Sequence, residues 1–130
     1  MTITINKNTT AATFQAAFNT TFPYLKLAFF RQNTGDDIWL SQMVLNNQIL
    51  LGEISDILAT QTLVENLTFS ANMTVAEFET MLQNRYGLTA RIFRQHFGDW
   101  VETTDSRHLD LEGQNERGAA KNVKLEAVAY

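Results

Sequence analysis

The chain has 130 residues, with ten Lys plus Arg against fourteen Asp plus Glu, one Pro and no Cys. That length suits one domain and buries roughly 65 to 70% of its unfolded surface without a disulfide or structural metal. A hydrophobic fraction of 45% and a net charge of −4 exclude a disordered chain and argue against the positive field that drives non-specific nucleic-acid binding. Without Cys there is no thiol nucleophile, iron–sulfur cluster, Cys-ligated zinc or disulfide, which fits a cytoplasmic setting. The start, Met1-Thr-Ile-Thr-Ile-Asn-Lys, has neither a basic n-region nor a long apolar h-region, so no signal peptide and no membrane span are expected.

In chain order, residues 2–6 alternate Thr and Ile as a half-buried strand does. Thr10 then stands as an N-cap before a helix over 11–22, whose Phe14, Ala17, Phe18 and Phe22 share one face and which Pro23 stops. Residues 24–31 and 38–45 form strands around a Gly-containing turn, and a short helix follows over 48–58. Residues 66–70 alternate again. Thr74 with Glu77 three positions on is a capping box, a helix runs over 75–86 with Val75, Phe78, Leu82 and Tyr86 on one face, and Gly87 occupies the C′ position. Strands over 88–94 and 100–104 form a second hairpin. Asp110 caps a short helix ending near Gly118, and the alternation of 123–128 reads as a final strand.

These elements repeat. At an offset of 64, Thr4, Asn8, Thr10 and Phe14 fall on Thr68, Asn72, Thr74 and Phe78. One deletion later, at an offset of 63, Phe30-Arg31-Gln32 falls on Phe93-Arg94-Gln95, and Trp39 aligns with Trp100 after two more. The reading is an α+β fold built from a duplicated strand-helix-strand-strand unit with pseudo-twofold symmetry. It is one domain made of two repeats, about 1–65 and 66–130, with a mostly antiparallel sheet and helices packed on one face. Gly87-Leu-Thr-Ala-Arg-Ile-Phe-Arg, Trp100-Val-Glu-Thr-Thr-Asp and Gln114-Asn115 resemble a small, uncharacterised bacterial protein family over residues 87–115. That resemblance implies no activity.

Four features are candidates for chemistry. Asp105, His108, Asp110 and Glu112 offer metal-ligating groups, but residues two apart diverge on both strand and helix, and Asp110 already has a capping task. Ser41 or Ser106 with His96 or His108 lacks a nucleophile elbow, and the two His read as exposed loop residues. Glu77 with Glu79 fits a helix first turn better than paired acid and base, as Asp36 with Asp37 fits a hairpin turn. The six Gly are scattered, so no phosphate-binding loop can be written and no cofactor is expected. The fourth feature is the sheet face opposite the helices, which carries Phe30, Trp39, Arg91, Phe93, Arg94 and Trp100, with His96 at its turn. Aromatics and Arg of this kind are enriched at protein interfaces and also stack bases or bind anionic ligands. The leading expectation is a non-enzymatic interaction module, a homodimer or a complex with another protein, with this sheet face or the final strand forming the contact. The alternative is a small-ligand or enzymatic pocket between the repeats, and the third reading is single-stranded nucleic-acid binding.

Overall fold

The alternating Thr and Ile of the N-terminus and their counterparts after residue 64 pair with each other. β1 (Thr2–Ile5) runs antiparallel to β4 (Glu65–Thr68), with Ile3 opposite Leu67. The computed structural model describes residues 2–31, 42–44, 46–61 and 64–128. α1 (Ala11–Thr21) starts at Thr10, whose hydroxyl accepts the Thr13 N–H, and ends where Phe22 donates its N–H to the Phe18 carbonyl, one residue before Pro23. α4 (Val75–Tyr86) has the expected capping box of Thr74 and Glu77. It ends at Gly87 with φ of 63°, a left-handed conformation that glycine adopts without a Cβ penalty.

The main sheet is antiparallel, in the order β3 (Gln42–Met43), β2 (Leu25–Arg31), β5 (Thr89–His96), β6 (Asp99–Glu102). Leu25, Leu27, Phe29, Leu88, Ala90 and Ile92 alternate onto the face that α1 and α4 cover, and all six are buried. The ring of Phe14 meets Phe29 edge-on at 5.5 Å, and Phe18 stands 5.3 Å from Phe78, joining the two helices. Ile3, Ile5 and Leu67 of the ribbon extend the same core, with Phe69 just beyond it.

The halves share backbone contacts as well as elements. Ala12 and Ala76 donate their N–H groups to the carbonyls of Asn47 and Arg107, at 2.8 and 3.0 Å. Leu51 and Leu111 donate to Thr9 and Met73, and Gly52 and Glu112 to Lys7 and Ala71. In the sheet, Ala28 lies opposite Arg91, and in the ribbon Ile3 lies opposite Leu67. The positions in these pairs are 64 residues apart up to Ala12, 63 apart at Ala28, and 60 apart at Asn47, Leu51 and Gly52.

Two expectations need correction. The helix expected over 48–58 is two short ones, α2 (Leu51–Ile54) and α3 (Asp56–Thr60), broken at Ser55. That buried Ser is extended, accepts the Leu58 N–H and donates its hydroxyl to the Tyr86 carbonyl, so its side chain competes with helical bonding. The second short helix and the final strand are instead one helix, α5 (Leu111–Val128). Gly118 does not stop it: a Cβ there would lie 2.7 Å from Cβ of Tyr24, so the glycine lets the helix pass close to the strand. Of the strand expected over 38–45, Gln42–Met43 is strand, while residues 38–41 and 45, Trp39 among them, lie outside the described residues.

Phe14 and Phe78 are both fully buried, so truncating either to Ala should cost about 3 to 5 kcal/mol. Chemical denaturation of the two single variants checks this. A loss below about 1 kcal/mol for one of them, the scale of a surface substitution, would show that the two positions are not equivalent in burial.

Candidate functional site

The sheet turns its second face away from α1 and α4. Residues directly opposite one another in antiparallel strands share a face, so the register sets rows across it: Lys26, Phe93 and Glu102; Ala28 and Arg91; Met43, Phe30 and Thr89; Gln95 and Trp100. Phe30 and Phe93 are half-buried, Lys26 and Glu102 are exposed, and Trp100 keeps 37% of its surface accessible. The Lys26 ammonium stands 5.9 Å from the centre of the Trp100 ring, at the outer limit of cation–π attraction.

Four of the expected face residues, Phe30, Arg91, Phe93 and Trp100, do share this side. Arg94 does not. It has the same parity as Ile92 and Ala90, and its Nη1 donates to Oε1 of Gln114 on α5 at 3.0 Å. Burial and the neighbouring Arg117 charge push its guanidinium below the usual value. A strand alternates strictly, so Phe93 and Arg94 could not both face outward. His96 ends β5 at the hairpin, its ring edge-on to Phe97 at 4.6 Å. Phe97 has φ of 52° and Gly98 φ of 87°, so the two residues between the paired His96 and Asp99 both take left-handed conformations.

The residues weighed as metal ligands are dispersed in role. Asp105 belongs to a 3-10 turn, the Asp110 carboxylate accepts the Gly113 N–H at 2.6 Å, and Glu112 gives its N–H to Ala71. Among the described residues no three His, Asp or Glu side chains converge on one point. No helix among them is long and apolar enough to cross a membrane.

Glu79 was misread as a first-turn acid. Its side chain is 3% exposed, its Oε1 lies 2.8 Å from Nε of Arg107 and 3.5 Å from Nη1 of Arg91, and its Oε2 accepts the Ile92 N–H at 3.1 Å. The signal was present in the spacing, because position 79 follows Val75 by one helical turn and so falls on the buried stripe. The Arg91 guanidinium, expected on the open face, is drawn round β5 toward this carboxylate. Burial holds the Glu79 carboxyl above its usual value of 4.5, against the opposing pull of Arg91 and Arg107.

Position 15, 64 residues before Glu79, carries Gln15, whose Nε2 donates to the Leu27 carbonyl at 2.9 Å, and the carbonyl of Asn47 accepts the Ala12 N–H as that of Arg107 accepts the Ala76 N–H. A neutral amide and a buried ion pair thus occupy matching corners of the fold. Comparison with known proteins finds no matching family model, no matching curated protein and no matching solved structure.

Because the folded carboxyl of Glu79 keeps its proton to higher pH than the unfolded one, the folded chain binds more protons between the two values. The contribution of this group to stability therefore falls as pH rises from 4.5 through the folded value and is level above it. Urea midpoints measured against pH should show the wild-type chain losing stability relative to Glu79→Gln across that window. A relative gain with rising pH would mean that the two Arg outweigh burial.

Proposed function

We propose that this chain is a non-enzymatic, cytoplasmic interaction module that self-associates through the open face of its sheet. The observation that carries this reading is the row of Lys26, Phe93 and Glu102, an aromatic ring flanked by opposite charges on neighbouring strands. A twofold axis lying along β5 would stack Phe93 against Phe93 of a second copy. The same rotation sets Lys26 over the second copy's Glu102, and the reverse, so the face is complementary to itself.

Size decides the strength of such a contact. Strands of two, seven, eight and four residues, spaced about 4.8 Å apart with about 3.3 Å per residue, give a footprint of roughly 330 Å² per copy. That is less than half the usual ~800 Å² per partner. The proposal is accordingly a reversible, concentration-dependent dimer rather than an obligate one. The duplicated unit belongs to the same proposal: the matched backbone bonds and the pairing of equivalent residues in sheet and ribbon support a chain built from two copies.

Sedimentation equilibrium over a series from low micromolar to near-millimolar concentration tests the contact. Lys26→Glu and Glu102→Lys should each weaken association by about fivefold, the scale of exposed ion pairs turned into like-charge contacts. The double reversal should restore it, and Phe93→Asp should leave a monomer. A wild-type chain that stays monomeric throughout, or single reversals without effect, would overturn the proposal.

A further inference from the structure

A second concave surface lies at the rim of this face, round the free edge of β2. Among the described residues β3 pairs with β2 at Phe30 and Arg31, and the Val44 N–H reaches the Phe29 carbonyl, so the edge at Leu25 to Ala28 is bordered by α1 instead. The cavity there has a volume of about 340 Å³ and is lined by Gln15, Asn19, Lys26, Asn47 and Trp100, with Ala12 and Ala16 beside them. That volume is at the small end of the roughly 300 to 1,000 Å³ typical of small-ligand sites.

Its polar groups are arranged in one sense. Nε2 of Gln15 is held by the Leu27 carbonyl at 2.9 Å, and Nδ2 of Asn19 by the carbonyls of Leu25 and Pro23 at 2.9 and 3.3 Å. Both amides are thereby fixed with their oxygens left to accept, and among the described residues neither oxygen has a protein partner. The Asn47 side chain likewise has no protein partner there, so it can donate and accept. Trp100 adds an exposed indole face, and Lys26 a cation with no carboxylate within ion-pair distance among the described residues.

Preset acceptors call for a ligand rich in hydroxyl donors. An indole plane calls for a ring with an apolar side, and a lone ammonium calls for a single negative charge. A phosphate ester fits poorly, because no Arg and no free helix N-terminus lines the cavity. We propose that this cavity binds a pyranose ring bearing one carboxylate, a hexuronic acid, with its C–H face on Trp100, its hydroxyls on Gln15, Asn19 and Asn47, and its carboxylate toward Lys26. Every lining side chain belongs to one chain, so the site is complete in a monomer; self-association would draw Lys26 to the second copy's Glu102, so the dimer should bind more weakly than the monomer.

The test is a titration of the isotope-labelled full chain with glucuronic acid, with glucose and acetate as parallel arms, followed through the indole N–H signal of Trp100 by two-dimensional NMR. Glucuronic acid should give saturable shifts, with glucose weaker by about fivefold and acetate giving none. Asn47→Ala should weaken binding by about threefold to tenfold, the range for one lost hydrogen bond. Lys26→Met should erase the difference between glucuronic acid and glucose. Trp100→Ala, followed through the amides of Ala12 and Ala16, should abolish binding while the remaining spectrum stays that of the folded chain. Shifts that never saturate, acetate as effective as glucuronic acid, or binding that survives Trp100→Ala and Asn47→Ala together would overturn the proposal.

Discussion

The fold depends on the antiparallel pairing of β2 with β5. These strands come from different halves of the chain, and their register from Leu25 opposite Arg94 to Phe30 opposite Thr89 brings the two halves into one sheet. Once Ala28 faces Arg91, strand alternation leaves no freedom over which side chains lie beneath the helices. Leu25, Leu27, Phe29, Leu88, Ala90 and Ile92 are then forced onto one face, and Phe30, Phe93 and Lys26 onto the other. A slip by one residue would invert both sets, burying Lys26 and exposing Leu27, so the hydrophobic pattern specifies the register strongly. The aromatic contacts between α1 and α4 then follow, since each helix is tied to its own strand of this pair.

Within this frame the two halves differ where chemistry differs. At one corner Gln15 closes the β2 edge by an amide hydrogen bond to a carbonyl. At the matching corner Glu79 accepts a strand N–H while holding Arg91 and Arg107. Taking a carboxylate out of water is costly unless it is paired and hydrogen-bonded, and here both conditions are met. The consequence for the open face is direct, because Arg91 is drawn away from it and Lys26 remains, among the described residues, as its cation without an ion-pair partner. The self-complementary row and the amide-lined cavity both owe their single positive charge to that arrangement.

How much of this was legible in the sequence follows the range of the interactions concerned. The capping box at Thr74, the glycine at position 87 and the stripe of Phe14, Phe18, Val75, Phe78, Leu82 and Tyr86 are local signals, and the structure has them where the spacing placed them. The end of α5 was not legible. Gly118 reads as a stop in a sequence but serves close packing against Tyr24, a contact between residues far apart in the chain. Arg94 was assigned to the wrong face although alternation alone excludes it, and Glu79 was read by its distance from the helix start rather than by its place on the buried stripe. The cavity lining of Gln15, Asn19, Asn47 and Trp100 has no motif at all, because it is assembled across the sheet edge by tertiary structure.

The central claim is that the open face, and not the outer surface of α4, is where one chain meets another. Isotope-filtered NOE spectra of a mixed sample, half labelled and half unlabelled, report on it most directly. Cross-peaks from the Phe93 ring to Phe93 of the other copy, and from Lys26 side-chain protons to the other copy's Glu102, are the expected result. Cross-peaks from Met81 on α4, with none from Phe93, would contradict it.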